Sequence, residues 1–192
     1  MKRLVVALFA LLLITPGFAV EIGDDGLHKA VWMRDTFKDL REDLAEANAE
    51  GKRLAIMIEQ RGCIYCARMH EDVFSREDIS SYIDENFFVV QLNLHGDLDV
   101  VDFDGDVLTE KSAARKWGLL FTPTILFLPE EVAEGDSAQR AAVAVMPGAF
   151  GAGTTLDLFT WVLEKRYALD SDEDFQRYHA RRIQERQDGS AD

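Results

Sequence analysis

The chain has 192 residues, enough for one compact domain with a sizeable core and short for two, and its 47 % hydrophobic content excludes a disordered chain. Twenty-one basic against 35 acidic residues give a charge of −14, which argues against nucleic acid and anionic membrane surfaces as partners.

Residues 1–19 read as a secretory signal peptide. Lys2 and Arg3 form a positive start, residues 4–14 are an unbroken apolar run, Pro16 and Gly17 break it, and Gly17 and Ala19 place small residues at a cleavage site after Ala19. The apolar run falls well short of the roughly 20 residues of a spanning helix. The mature chain is therefore expected in the periplasm, with no stable membrane insertion. Its domain is expected over 20–168, followed by a charged tail over 169–192, either a short docked helix or disordered.

After an acidic entry at 21–25, Met33, Phe37, Leu40, Leu44 and Ala47 recur at helical spacing, and Gly51 stands where helices stop. Residues 54–58 form a short apolar run that reads as a buried strand and leads straight to Cys63. From there Cys66, Met69, His70 and Val73 share one helical face. Ser75 is predicted to cap a further helix, with Asp78 three residues on and Ile79, Tyr82 and Ile83 on its apolar side. Residues 87–92 read as a second strand. The Asp-rich stretch 95–108 lacks the glycine and closing glutamate of a calcium loop, so a solvated loop or short hairpin is expected.

A modest helix is predicted over 109–117. Residues 119–128 are strand material interrupted by Thr122-Pro123, and a proline there points to a cis bond or a strand start. A polar loop at 130–139, a strand at 142–146 ended by Pro147-Gly148, and a helix carrying Leu156, Phe159, Val162 and Leu163 follow. Trp32, Trp117 and Trp161 are expected in or near the core. Alternating elements of this kind imply an α/β layer fold.

Cys63 and Cys66 are the only cysteines. A bridge across two intervening residues constrains little chain, so the pair is better explained by chemistry than by stapling. A sulfur that follows a strand and opens a helix meets unsatisfied backbone N–H groups and the positive end of the helix dipole, and both favour the nucleophilic thiolate. Cys63 would attack a client disulfide, and Cys66, one turn further in, would resolve the mixed disulfide. Arg61 and Arg68 are near enough in sequence to help the thiolate, or are simply solvated.

Metal chemistry competes poorly. A structural zinc site wants four ligands, and only His28, His70, His95 and His179 accompany the single cysteine pair. His70, four residues after Cys66, allows at most a partial site, and no metal is expected. Ala67 stands where a covalent haem would need histidine.

The run from Gly62 through Cys63-Ile64-Tyr65-Cys66 to His70, then Val73-Phe74, then Phe121-Thr122-Pro123-Thr124-Ile125-Leu126-Phe127, resembles the thioredoxin superfamily over about residues 35–165. In detail it is similar to exported thioredoxin-like proteins of the SoxW type, associated with sulfur oxidation. The resemblance implies a thioredoxin-like α/β fold with a central mixed sheet flanked by helices, and a cis Pro123 beside the cysteines. It also implies that the backbone of Thr122 pairs with the client chain, and it matches Gly148 to a glycine near the active site. Tyr65 is expected at the exposed, substrate-facing rim.

The chain departs from ordinary thioredoxin in carrying Ile64-Tyr65 between the cysteines, and Met57 where a buried aspartate is usual. Glu59 is the substitute proton acceptor for Cys66, or else an exposed strand-end carboxylate. The uncharged dipeptide favours a reductant over a strong oxidant of the DsbA kind. No bound cofactor is expected beyond the Cys63–Cys66 disulfide. The partners implied are client proteins with disulfides or reactive thiols and a membrane electron donor of the CcdA/DsbD type. The rival readings are a disulfide oxidase or isomerase, and a non-catalytic metal-binding or adaptor module.

Overall fold

The computed structural model describes residues 21–169 and 172–189; the expected signal peptide lies outside them. A small hairpin, β1 (Glu21–Ile22) with β2 (His28–Lys29), precedes β3 (Met33–Arg34). Then come α1 (Leu40–Ala49), β4 (Arg53–Glu59), α2 (Ile64–Met69) continuing as a π-helical segment His70–Phe74, α3 (Glu77–Asn86) and β5 (Phe87–Asn93). A second hairpin, β6 (Asp99–Val101) with β7 (Val107–Thr109), leads to α4 (Glu110–Lys116) and β8 (Thr124–Phe127). The chain closes with α5 (Ala138–Ala141), β9 (Ala144–Pro147), α6 (Ala152–Leu163) and α7 (Phe175–Asp188).

The central sheet has the order β3-β5-β4-β8-β9. Its first three strands are parallel, and β8 is antiparallel to both of its neighbours, β4 and β9, so the sheet is mixed. Every residue of β4 is buried, as expected of a strand covered on both faces. Its side chains alternate between two cores. Leu54, Ile56 and Ile58 join Phe88, Val90, α1 and Trp117, whereas Ala55 and Met57 join α2, α3, α6, Trp32 and Trp161. The second core is fixed by Phe87, Phe127 and Phe159, whose rings meet edge-to-face at 4.7–6.0 Å between centroids. All three tryptophans are buried, as predicted.

Three local expectations are corrected. Met33 lies in a strand and Phe37 is 95 % exposed, although both fit the helical spacing. Lys38 takes a positive φ of 60° and Asp39 caps α1 by accepting from the Arg41 and Glu42 N–H groups, so the helix starts at Leu40. Ser75 does not cap α3; its hydroxyl donates back to the Glu71 carbonyl at 2.5 Å, and Arg76 takes the cap position while pairing with Asp78. The loop at 130–139 ends in the short helix α5, whose Ala138 N–H donates to the buried carboxylate of Asp102. The Asp-rich stretch is a hairpin, with the Lys116 ammonium among Asp102, Asp104 and Asp106 at 2.6–2.9 Å.

The tail forms α7, which docks on α6 through the buried Tyr178. The junction is polar at one point: Asp157, 1 % exposed, accepts two bonds from Arg186 at 2.8 and 2.9 Å and lies 2.6 Å from His179 Nδ1. Burial alone would raise the Asp157 carboxyl, but Arg186 and His179 outweigh it and hold the group below its ordinary value. A depressed acid stabilises the fold above its unfolded value and loses that contribution as pH falls through the folded one. Docking of α7 is thus expected to weaken below about pH 4. Asp157→Ala is expected to cost roughly 2–4 kcal/mol in urea unfolding at pH 7, because Arg186 and Arg182 lose their anion and His179 its hydrogen-bond partner.

Asp43 on α1 behaves oppositely. It is 3 % exposed and its Oδ2 has no partner; burial first, then Asp39, Glu46 and Glu42, push its carboxyl up to about 6 against a Thr36 hydroxyl that lowers it. A raised acid stabilises the fold while protonated, and that contribution is lost as pH rises through 6. Asp43→Asn is expected to raise stability by roughly 1–3 kcal/mol at pH 8 and by nothing measurable at pH 4, as thermal melts at the two pH values would show.

Candidate active site

Gly62, at φ 70°, turns the chain out of β4 so that Cys63 arrives at the amino end of α2. Cys63 and Cys66 form a disulfide with Cα atoms 5.2 Å apart. Cys63 is the cap residue of the helix: its Sγ accepts the Cys66 backbone N–H at 3.0 Å. A second donor comes from across the sheet, the Thr122 hydroxyl at 3.2 Å, and the Thr122 carbonyl oxygen lies 3.5 Å away. Both donors favour a sulfur that carries negative charge. Cys63 is 5 % exposed and Cys66 fully buried, so of the two sulfurs that of Cys63 is the one nearer solvent.

The Thr122–Pro123 bond is cis, as the resemblance implies. The loop around it is held on both sides. The Phe121 carbonyl accepts from the Thr124 hydroxyl at 2.7 Å, and the Pro123 carbonyl accepts from the Gly148 N–H at 2.7 Å. Gly148, at φ 91°, thereby fixes the loop that presents Thr122 to Cys63. Ile64, Tyr65, Leu120 and Phe121 are 53–78 % exposed on the segments that meet at the sulfur, leaving an apolar rim. The Arg68 guanidinium lies 5.9 Å from the centre of the Tyr65 ring, and Arg61 donates to the Asp25 carbonyl.

Glu59 is not an exposed strand-end group. It is fully buried, in step with Ala55 and Met57 on the face that carries the cysteine helix. Its Oε1 lies 3.0 Å from His70 Nε2 and 3.8 Å from His28 Nδ1, and its Oε2 accepts from Gln91 Nε2 at 2.6 Å. His70, one turn after Cys66 with its backbone N–H bonded to the Cys66 carbonyl, is 1 % exposed and so belongs to the interior rather than to a helix surface.

His28, Glu59 and His70 bring their ligand atoms within 4.8 Å of one another. The imidazoles are nevertheless stacked, 4.6 Å apart and 17° from parallel. A ring nitrogen's lone pair lies in the ring plane, so two stacked rings cannot both aim at one ion. The arrangement suits proton exchange between a carboxylate and an imidazole better than metal ligation.

The sequence did not reveal the Thr122 hydroxyl as a donor to Cys63, nor His28 and Gln91 as partners of Glu59. No short-range signal marks them, because they lie 31–59 residues away from the groups they meet.

A mixed five-stranded sheet with a cysteine pair at a helix start, facing a cis-proline loop, places the molecule in the thioredoxin-like class. The chain belongs to the thioredoxin-like domain family, whose model matches residues 40–142, more than half its length. No curated protein matches the chain. Among solved structures it is similar to a thioredoxin-fold protein from Helicobacter pylori, at 19 % identity and a TM-score of 0.53 over 72 % of this chain and 86 % of that one. It is also similar to a thioredoxin from Thermus thermophilus, at 21 % identity and a TM-score of 0.51 over 66 % and 85 % of the two chains. Fold and cysteine pair together support a thiol–disulfide oxidoreductase at the general level.

Proposed function

We propose that the protein is an exported thiol–disulfide oxidoreductase that reduces disulfides of client proteins, with Cys63 as nucleophile and Cys66 as resolving thiol. The observation that carries this reading is the pair of donors on Cys63 Sγ, the Cys66 N–H and the Thr122 O–H, at the start of a helix. In the reduced protein they would lower the cost of the thiolate. Attack on a client disulfide joins Cys63 to one client sulfur and releases the other as a thiolate. Cys66 then gives up its proton and bonds to Cys63, and the second client sulfur leaves with the electron pair. The client is reduced and the cysteine pair oxidised.

Client docking follows from the rim. Tyr65, Ile64, Leu120 and Phe121 offer apolar contact, and the Thr122–Pro123 loop offers backbone pairing beside the sulfur. Buried Glu59 is the proton acceptor for Cys66, working through His70. Export rests on residues 1–19, and an exported reductant needs electrons across the membrane, for which a CcdA/DsbD-type donor is the proposed source. Sulfur-carrier or cytochrome-maturation proteins are the proposed client group.

Reduction rather than oxidation is favoured by the uncharged Ile64-Tyr65 dipeptide, since nothing between the cysteines strongly stabilises the reduced form. Redox titration against glutathione, paired with insulin reduction, tests the direction. A potential closer to thioredoxin's value of about −270 mV supports the reductant, and one near the DsbA value of about −120 mV overturns it.

A further inference from the structure

The amino-terminal hairpin lies outside the matched domain, yet it reaches the buried carboxylate behind the cysteine helix. We propose that His28, carried by this hairpin, is a positioning residue that sets the proton affinity of the Glu59–His70 pair and so the pH at which Cys66 can resolve a mixed disulfide. The inference rests on the oxidoreductase reading above.

His28 is 9 % exposed, and its ring covers that of His70. Its Nδ1 faces Glu59 Oε1 at 3.8 Å and has no hydrogen-bond partner, an unusual state for a buried polar atom. Its backbone carbonyl accepts from Gln91 Nε2, the same nitrogen that donates to Glu59 Oε2. The neighbouring Lys29 ammonium donates to Gln91 Oε1 at 2.8 Å and to Asp25 at 2.7 Å. Asp25 in turn accepts from Arg61 through its carbonyl, two residues before Cys63. The hairpin is thus fastened both to the network and to the active-site turn.

Among the described residues, the charged and titratable groups around His28 are Glu59 from β4, His70 and Glu71 from the cysteine helix, and Lys29 and Asp25 from its own hairpin. Burial first, then His70, pull the His28 imidazole below its ordinary value, against Glu59 and Glu71. Burial thus disfavours the charged form of the His28 ring. With its proton on Nδ1, a neutral His28 ring points an N–H dipole at Oε1 of Glu59, beside the hydrogen bond that joins Glu59 to His70.

This assigns the proton of the resolving step. The Cys66 S–H bond breaks as the Cys66–Cys63 bond forms, the client sulfur leaves with the bonding pair, and the proton passes to the Glu59–His70 pair before release to the client thiolate or solvent. An apolar ring at position 28 would preserve the stack and the burial but remove the dipole. Glu59 would then hold its proton more tightly, and resolution would need a higher pH.

The test uses the full protein with a fluorescent thiol linked to Cys63 as a mixed disulfide at pH 4, followed by jumps to pH 5–9 while thiol release is recorded. His28→Phe is expected to move the acid limb of the rate profile upward by at least half a pH unit, with a plateau within about threefold of the parent. His28→Gln, which restores a polar group, is expected to recover part of that shift. An unchanged profile in His28→Phe, whatever its melting temperature, overturns the proposal. Glu59→Gln separates the two levels: if it too leaves the profile unchanged, Glu59 is not the proton acceptor and the underlying reading of that residue falls. If only Glu59→Gln shifts the profile, the role of His28 alone is refuted.

Discussion

Cys63→Ser is expected to reduce disulfide-reductase activity by more than about 10³-fold, because a serine hydroxyl at the same position is not ionised at neutral pH and makes a poor nucleophile toward sulfur. Cys66→Ser is expected to give a different defect. The first attack proceeds, since Cys63 Sγ keeps the Thr122 hydroxyl and the residue-66 backbone N–H as donors. Resolution then fails, and the client stays linked to Cys63. Non-reducing electrophoresis with a model client distinguishes the two, since stable adducts should form with Cys66→Ser and none with Cys63→Ser. The asymmetry follows from burial, with Cys66 fully enclosed and Cys63 at the surface edge beneath the apolar rim. Equal adduct formation by both variants would mean that either sulfur can meet a client, contrary to that geometry.

Glu59→Ala is expected to be the most damaging change outside the cysteines, costing about 3–5 kcal/mol of stability. The carboxylate is enclosed by His70 and Gln91 at 3.0 and 2.6 Å and faced by His28, and its loss strands their polar atoms in the interior. Glu59→Gln keeps the shape and should cost about 1–2 kcal/mol, because a neutral amide still bonds but loses the charge assistance. Urea unfolding of the three proteins checks the order. Parent-like stability of Glu59→Ala would show that the network contributes little to the fold. The same substitution is expected to slow mixed-disulfide resolution by about 10²-fold, the usual scale for losing a positioned acid or base.

The central strands were legible because their signal is local. β4 and β5 are apolar runs bounded by turns, and the cysteine helix shows its inward face through Cys66, Met69, His70 and Val73. The proline before β8 marked the loop that meets Cys63. Phe37 misled because periodicity carries no information on the backbone: a left-handed Lys38 and the Asp39 cap delay the helix start to Leu40, three residues after Phe37. Glu59 misled for a different cause. A carboxylate at a strand end is ordinarily solvated, and its burial is tolerable here because partners come from three separate segments, at positions 28, 70 and 91. The tail was ambiguous because its composition is charged; Tyr178 in the core and Asp157 bound to Arg186 show what holds it.

The function rests on the Cys63 sulfur being easier to ionise than an ordinary thiol. The rate of Cys63 alkylation by iodoacetamide across pH 4–10, in fully reduced protein carrying Cys66→Ser, reads this in one experiment. A midpoint at least one unit below the free-cysteine value of about 8.5 is expected, moving back toward it in the background of Thr122→Val as the hydroxyl donor is removed. A midpoint at or above about 8.5 would contradict the assignment of Cys63 as an activated nucleophile.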